Sequence, residues 1–150
     1  MTIERVTAEL AIRNLVARYA DAVTRGDGRA WLATWAADGA WQILGQKARG
    51  RTAVSALWEQ LTRGFEFVVQ LPVSGSIRVD AETAMGRWTV IEQGKMVGGG
   101  GFHSLGIYDD LYRCEDGEWR FDERRLHLLY VGPPDLSAPF NPYPEAEEGR

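Results

Sequence analysis

The stretch from Thr7 to Trp41 reads TAELAIRNLVARYADAVTRGDGRAWLATWAADGAW, and it decides the fold. Apolar residues recur in its first half at spacings of three, four and seven, which predicts an amphipathic helix. The predicted apolar stripe consists of Leu10, Leu15, Val16, Tyr19, Ala20 and Val23. The Tyr19 hydroxyl is the single polar group on this stripe, so the helix should present one phenol to whatever covers it.

Glycine is expected to end this helix at Gly26-Asp27-Gly28, because it adopts the left-handed conformation of a helix C-cap without strain. A second, short apolar face follows and contains Trp31, Leu32 and Trp35. The pair Asp38-Gly39 then predicts a turn into a first strand that begins at Ala40.

Beyond this stretch the periodicity predicts one more helix and then a series of strands. The helix spans Arg51 to Thr62 after a polar loop, residues 45–50, and the strands are residues 65–79, 83–93, 102–114 and 118–131. Helices followed by antiparallel strands indicate an α+β fold. We expect residues 1–131 to form one domain and residues 132–150, which hold all but one of the six prolines, to form a tail.

Composition limits the classes of function. The chain has 150 residues, a net charge of −4 and a pI near 5.2, which argues against nucleic acid as a partner. No long apolar run predicts a membrane span or a signal peptide, so the expected location is cytoplasmic. The single cysteine, Cys114, lies in no metal-ligand or redox motif, and no metal site is predicted.

Residues 18–41, RYADAVTRGDGRAWLATWAADGAW, resemble the opening of the SnoaL-like branch of the nuclear transport factor 2-like superfamily. The resemblance rests on the order of a Tyr on a long helix, a Gly-Asp turn, a short aromatic helix and an acidic residue before the first strand. It implies a cystatin-like cone, in which a strongly curved antiparallel sheet wraps around the first helix and encloses a pocket. Relatives in this superfamily include ketosteroid isomerase, scytalone dehydratase, bile-acid dehydratase and lindane dehydrochlorinase.

By this resemblance Tyr19 falls where ketosteroid isomerase and bile-acid dehydratase place an active-site Tyr. The general base of those relatives is missing. Thr24 stands where SnoaL-like dehydratases have an Asp, Gln70 stands where they have a His, and Ile43 stands where ketosteroid isomerase has its Asp. None of the three can act as a base at neutral pH.

Asp116-Gly117 is a strong signal for a two-residue hairpin loop, and an uninterrupted hairpin would place Tyr112 opposite Phe121 and Tyr108 opposite Arg125. Asp110 shares the face of Tyr108, whereas the resemblance favours Asp109 for the pocket, and the choice between them stays open. His103 follows the glycines at positions 98–101 and is the candidate acid–base group. The same count places His103 on the face away from Tyr108, and one bulge would reverse it. If His103 points outward, the pocket holds no base that works at neutral pH.

Two hypotheses remain. In the first, the chain is a cofactor-independent lyase or isomerase that acts on a hydrophobic polycyclic or aromatic molecule. Tyr19 and His103 would be catalytic, and the substrate-binding residues would be Trp41, Trp58, Gln70, Trp88, Tyr108 and Arg125. In the second, it is a non-catalytic ligand-binding protein or a structural subunit, like the small subunits of aromatic-ring dioxygenases. Either way, the uncovered sheet face of such cones predicts a homodimer or homotrimer.

Overall fold

A computed structural model of the chain describes residues 1–143. This part contains α1 (Ile3–Arg25), α2 (Gly28–Leu32), β1 (Trp35–Ile43), β2 (Gln46–Arg49), α3 (Arg51–Thr62), β3 (Phe65–Asp80), β4 (Thr83–Met96), β5 (Gly101–Glu115) and β6 (Glu118–Gly132). The strands form one curved, unclosed sheet in the order β2-β1-β6-β5-β4-β3. Every neighbouring pair is antiparallel except β1 and β6, which run parallel. The predicted α+β class is confirmed.

Helix α1 lies against the inner face of the sheet. Its N-terminus is capped by the Thr2 hydroxyl, which accepts the Arg5 backbone N–H at 3.2 Å, and Gly26 ends it with φ 65° as predicted. One residue of the predicted stripe is wrong, because Leu10 is 62% exposed while Ile12 is fully buried. The buried stripe therefore runs through Ile12, Leu15, Val16, Tyr19, Ala20, Ala22 and Val23.

Two loop predictions are corrected by the structure. Strand β1 begins at Trp35 and continues through Asp38-Gly39, where the register to β6 shifts instead of the chain turning. The predicted polar loop at residues 45–50 contains the short strand β2, which pairs with the end of β1. Bare Gly39 suits this crowded place, because a Cβ there would lie 3.1 Å from the Phe121 carbonyl oxygen.

The predicted tail leaves the sheet after β6 and folds back over its outer face. The Tyr130 hydroxyl donates to the Pro133 carbonyl at 2.7 Å, and the Asn141 N–H donates to the Leu129 carbonyl at 2.7 Å. The Phe140 ring packs on the Tyr130 ring with a centroid distance of 4.9 Å. Residues 144–150, including the glutamate-rich end, lie outside the described residues. Within residues 1–143, no helix is long and apolar enough to cross a membrane.

Candidate functional site

Tyr19 sits at the centre of an aromatic cluster inside the curved sheet. The residue is 1% exposed, and its ring lies 5.2 Å from Phe121, 5.6 Å from Trp31 and 6.4 Å from Tyr108, measured between centroids. These neighbours come from β6, α2 and β5. The sequence prediction that α1 presents this phenol to the sheet is therefore consistent with its position.

A buried ion pair lies beside this cluster. Arg124 donates from Nε to Asp110 Oδ1 at 2.8 Å and from Nη2 to Oδ2 at 3.2 Å, and both side chains are at most 1% exposed. Asp110 Oδ2 also accepts the Tyr112 hydroxyl at 2.7 Å, and Tyr112 in turn accepts the Trp88 indole N–H at 3.0 Å. Asp110 thus accepts three hydrogen bonds. These bonds offset the free-energy cost of burying a charged group away from water.

The Arg124 guanidinium is also enclosed by three rings. Its central carbon lies 3.8 Å from the Tyr108 ring centroid and 4.4 Å from those of Tyr19 and Phe121. Such cation–π contacts stabilise a desolvated cation. Asp110, rather than Asp109, is thus the carboxylate that faces the interior, which resolves the alternative left open by the sequence.

The tyrosines of this cluster keep their protons at neutral pH. Burial raises the pKa of Tyr19 and raises that of Tyr108 further, while the positive charge of Arg124 opposes both shifts. Phenols in this state can donate hydrogen bonds but cannot serve as bases. Any base in the interior must therefore be another group.

Glu92 is the candidate for that group, although it is not among the site residues predicted from the sequence. It lies on the inner face of β4, two and four residues beyond the buried Val90 and Trp88. Its partners on the flanking strands, Gln70 of β3 and Ser104 of β5, are both buried. Burial raises the pKa of the Glu92 carboxyl, and hydrogen bonding from the Gln70 side chain opposes the rise only in part.

The signal for Glu92 was present in the sequence. Side chains alternate along a strand, so Glu92 lies on the same face as the apolar residues of β4. That face consists of Ala84, Gly86, Trp88, Val90 and Glu92, and its apolar members predict that it points inward. A buried carboxylate with a raised pKa is a candidate general base, because it binds a proton more tightly than an ordinary carboxylate does.

Thr24 and Gln70, which occupy the base positions of the family, contact each other. The Thr24 hydroxyl accepts the Gln70 backbone N–H at 3.1 Å, which ties the end of α1 to β3. The Gln70 side chain remains free to hydrogen bond to Glu92, its cross-strand partner. An inner-face carboxylate therefore lies on β4, directly beside the β3 position at which the resemblance expected a His.

The hairpin count placed His103 on the face away from Tyr108, and the structure agrees, so His103 does not reach the interior as a catalytic base would have to; the predicted position of Arg125 is corrected. His103 lies on the outer face, where its Nδ1 is 3.3 Å from Gln93 Nε2. Arg125 is also outside, half exposed and 3.9 Å from Asp109 Oδ2. The error at Arg125 comes from a β-bulge in β6. Tyr112 pairs with Phe121, but its neighbour Leu111 pairs with Glu123, so Asp122 is an extra residue in β6. Arg124 consequently takes the inward place expected for Arg125.

His127 lies outside as well, with Nε2 2.9 Å from Asp109 Oδ2. Asp109 is shared there with Arg87, whose Nε is 2.9 Å from Oδ1. Within residues 1–143, no three His, Cys, Asp or Glu side chains are grouped so that they could hold a metal ion.

The predicted aromatic substrate-binding residues are all buried. Trp58 stacks on Trp31 at 4.3 Å, and Trp41 packs on Trp31 at 5.0 Å. Trp88 and Tyr108 belong to the network around Asp110 and Arg124 described above. Their position agrees with an aromatic interior, and their contact with a ligand stays a prediction.

A cavity of about 330 Å³ opens beside β6, beyond the end of β1. Its walls are Leu44 and Gly45 of the β1–β2 turn, residues 126–129, and Asn141 and Pro142 of the tail. Leu128 pairs with Gly106 and Gly106 with Val90, so this cavity lies two strands from β4. Its volume is in the range of small-molecule sites.

We expect Glu92→Gln to stabilise the protein at high pH and to leave it unchanged at low pH. The pKa of Glu92 is raised in the folded chain, so the folded state holds this proton more tightly than the unfolded state. The resulting stability is complete below the ordinary pKa near 4.5 and is lost as pH rises through the folded value. Glutamine mimics the protonated acid and avoids this loss.

Thermal unfolding of both proteins between pH 4 and pH 9 measures the effect. The control is Glu82→Gln, in the exposed turn between β3 and β4, which should show no such pH-dependent gain. A gain that does not depend on pH, or one that Glu82→Gln shares, would contradict the account.

Comparison with known proteins identifies a family for this chain. The SnoaL-like domain family matches residues 4–125. No curated protein matches the sequence. A protein of unknown function from Mycobacterium tuberculosis has a similar structure, with 28% identity, a TM-score of 0.74, and coverage of 83% of this chain and 77% of its own.

Two similar structures carry names of enzymes. A proposed scytalone dehydratase from Novosphingobium aromaticivorans shares 21% identity at a TM-score of 0.82, covering 95% of this chain and 97% of its own. A hexachlorocyclohexane dehydrochlorinase from Novosphingobium barchaimii shares 19% identity at a TM-score of 0.79, covering 93% and 97%. These likenesses show the fold, and the family match covers most of the chain. The chain belongs to the SnoaL-like domain family.

Proposed function

We propose that the protein is a cofactor-independent lyase or isomerase that removes a proton from carbon in a hydrophobic aromatic or polycyclic molecule. The observation that carries the proposal is Glu92, a partly buried carboxylate of raised pKa on the inner face of the sheet. The names of the similar structures, a dehydratase and a dehydrochlorinase, describe eliminations, a reaction class in which carbon loses both a proton and a leaving group.

In this mechanism the Glu92 carboxylate accepts the proton from carbon. The electron pair of the broken C–H bond moves toward a neighbouring oxygen or expels a leaving group. Tyr19 and Tyr108 interact electrostatically with Glu92, and their protonated phenols can donate to an oxygen that gains negative charge. Return of the proton to another carbon completes an isomerisation, and departure of the leaving group completes an elimination.

The test uses a neutral carbon acid, since the natural substrate is unidentified. The probe is 2-tetralone, a bicyclic aromatic ketone whose C–H bonds beside the carbonyl exchange with solvent deuterium by proton abstraction. We expect the protein to accelerate deuterium uptake above the rate in buffer, measured by proton NMR. Binding of 2-tetralone without any acceleration would overturn the proposal.

The second candidate function is ligand binding without catalysis, as in a structural subunit. It is favoured by Thr24 and Gln70, which stand at the family's base positions and are joined by a hydrogen bond instead. The same experiment separates the two functions, because a binding protein would retain 2-tetralone and leave its exchange rate at the buffer value.

We also propose that the chain forms a homodimer or homotrimer through the outer face of the sheet. Large apolar side chains on the outer face of β3 are exposed: Phe67, Val69, Leu71 and Val73. An exposed apolar patch of this kind marks an interaction surface. Light scattering after size exclusion should give a multiple of 16.8 kDa, and Leu71→Lys should lower it.

The matched control is Leu10→Lys, because Leu10 is exposed on α1, away from the outer face of the sheet. This variant should keep the mass of the wild-type protein. A monomeric wild-type protein, or equal loss of assembly in both variants, would contradict the assignment of this face.

A further inference from the structure

One row of side chains crosses the outer face of the sheet and carries an excess of positive charge. Residues paired across neighbouring strands project from the same face. Pairing places five residues in this row, one from each of five strands: Lys47, Gln42, Arg125, Asp109 and Arg87. In the adjacent row the charges of Arg49 and Glu123, which both pair with Ala40, balance. The first row therefore attracts anions, although the whole chain has a net charge of −4.

Asp109 is shared by three basic side chains, and this leaves donors of Arg125 available. Arg87 Nε lies 2.9 Å from Asp109 Oδ1, and His127 Nε2 lies 2.9 Å from Asp109 Oδ2. Arg125 Nη2 is 3.9 Å from the same Oδ2 atom, which is beyond hydrogen-bond distance. Because the Arg125 side chain is also 43% exposed, its planar set of donors can bind a second carboxylate.

The cavity beside β6 adjoins this row. His127 is hydrogen-bonded to the Asp109 oxygen that Arg125 approaches, and it also forms part of the cavity wall. Leu44 in the opposite wall is 57% exposed, so a ligand that covers it removes apolar surface from water. The apolar wall residues are Leu44, Leu126, Leu128, Leu129 and Pro142. At about 330 Å³, the cavity has room for a short hydrocarbon chain.

The fold explains why a cavity forms at this place. Strand β1 pairs with β6 only as far as Arg125, so the edge of β6 is open from residue 126 onward. The tail covers part of this edge, where the Asn141 N–H donates to the Leu129 carbonyl at 2.7 Å. The cavity is the space left between the β1–β2 turn and the tail. It is thus bounded by ordered backbone on both sides.

We propose that the cavity beside β6 binds a small amphipathic carboxylate, a molecule with one carboxylate group and a short hydrocarbon body. Arg125 binds the carboxylate, and the charge of Lys47 adds to the attraction. The hydrocarbon body lies in the cavity against Leu44. This site is on the outer face of the sheet, away from Glu92, and the inference does not rest on the proposed function.

Three probes separate the charged part of the site from the apolar part. Octanoate has both a carboxylate and a hydrocarbon chain, whereas 1-octanol lacks the charge and acetate lacks the chain. The readout is the ring-proton NMR signals of the two histidines at pH 7.5, assigned with His127→Gln. We expect octanoate to shift the His127 signals and leave those of His103 in place. Octanoate should bind about tenfold more tightly than either other probe.

Variants with matched controls test the two contacts. Arg125→Met should weaken octanoate binding about fivefold to tenfold and leave 1-octanol binding unchanged. The control Arg120→Met removes the same charge from the same strand, on the far side of the bulge, and should keep the wild-type affinity. Leu44→Ala should weaken octanoate and 1-octanol by a similar factor. Its control, Leu10→Ala, alters an exposed leucine on α1 and should weaken neither.

Four results would overturn the proposal. They are acetate binding as tightly as octanoate, equal loss of octanoate affinity in Arg125→Met and Arg120→Met, His127 signals that do not respond, and no binding of octanoate at millimolar concentration. Loss of octanoate binding in Glu92→Gln together with retention in Arg125→Met would place the ligand inside the sheet, and it would overturn the proposal as well. Added sodium chloride should weaken the binding of octanoate and not that of 1-octanol.

Discussion

Replacing Glu92 with Gln is expected to lower the rate of deuterium exchange into 2-tetralone by about a hundredfold or more, the usual contribution of a positioned general base. Glutamine keeps the shape of the side chain and its place beside Gln70 but cannot accept a proton. The loss should appear in kcat as well as in kcat/KM, because the base acts in the transition state and not in binding alone.

The pH profile of the wild-type protein adds a second readout. Exchange should increase with pH as Glu92 ionises, with a midpoint above the ordinary pKa because burial raises it. The groups that face Glu92 are Gln70, Ser104 and the phenols of Tyr19 and Tyr108, and the phenols stay protonated in this range. Glu82→Gln should retain the full rate. Equal rates in Glu92→Gln and Glu82→Gln would show that another group removes the proton.

The second large effect concerns stability. Arg124→Met should lower the free energy of unfolding by about 3–5 kcal/mol, because it leaves Asp110 buried without its cation. Urea unfolding followed by tryptophan fluorescence measures this change. Burial raises the pKa of Asp110 while Arg124 opposes the shift, so removal of Arg124 also favours protonation of that carboxyl.

The neighbouring residue supplies the control. Arg125 is half exposed and lies 3.9 Å from Asp109, so Arg125→Met should change stability by about 1 kcal/mol or less. The double variant Asp110→Leu/Arg124→Met should recover much of the loss, because it removes both buried charges together. Equal effects of Arg124→Met and Arg125→Met would contradict the buried pair.

Elements with a strong local signal were predictable from the sequence. Helix α3 was placed at its observed bounds, because apolar spacing and a terminal glycine define it. The two-residue loop predicted at Asp116-Gly117 correctly paired Tyr112 with Phe121. The family resemblance of residues 18–41 predicted the cone, and the family match and the similar structures confirm it.

Register beyond the first bulge was not predictable. The extra residue after Phe121 puts Arg124 where Arg125 was expected, and a second irregularity between Leu105 and Gly106 shifts the register again, so that His103 pairs with Gly132. Bulges depend on how the sheet curves around α1, and no local sequence pattern in β6 predicts where they occur. A count from the hairpin therefore fails within a few residues.

Glu92 was missed for another reason. Glu92 occupies none of the positions at which the family keeps its base, and those positions hold Thr24, Gln70 and Ile43 here. Alternation along β4 would have sent Glu92 inward, but only the pairing of β4 with β3 shows that it lies beside Gln70. Raised pKa and proximity are properties of the folded chain, since both require strands distant in sequence.

The measurement that tests the central claim most directly is a titration of the Glu92 side-chain carboxyl by ¹³C NMR, with its signal assigned by its loss in Glu92→Gln. The account predicts a midpoint above the ordinary glutamate value near 4.5, as expected for a desolvated base poised to accept a proton. A midpoint at or below 4.5 would show a carboxylate stabilised as an anion, and it would contradict the role of Glu92 as the base of this site.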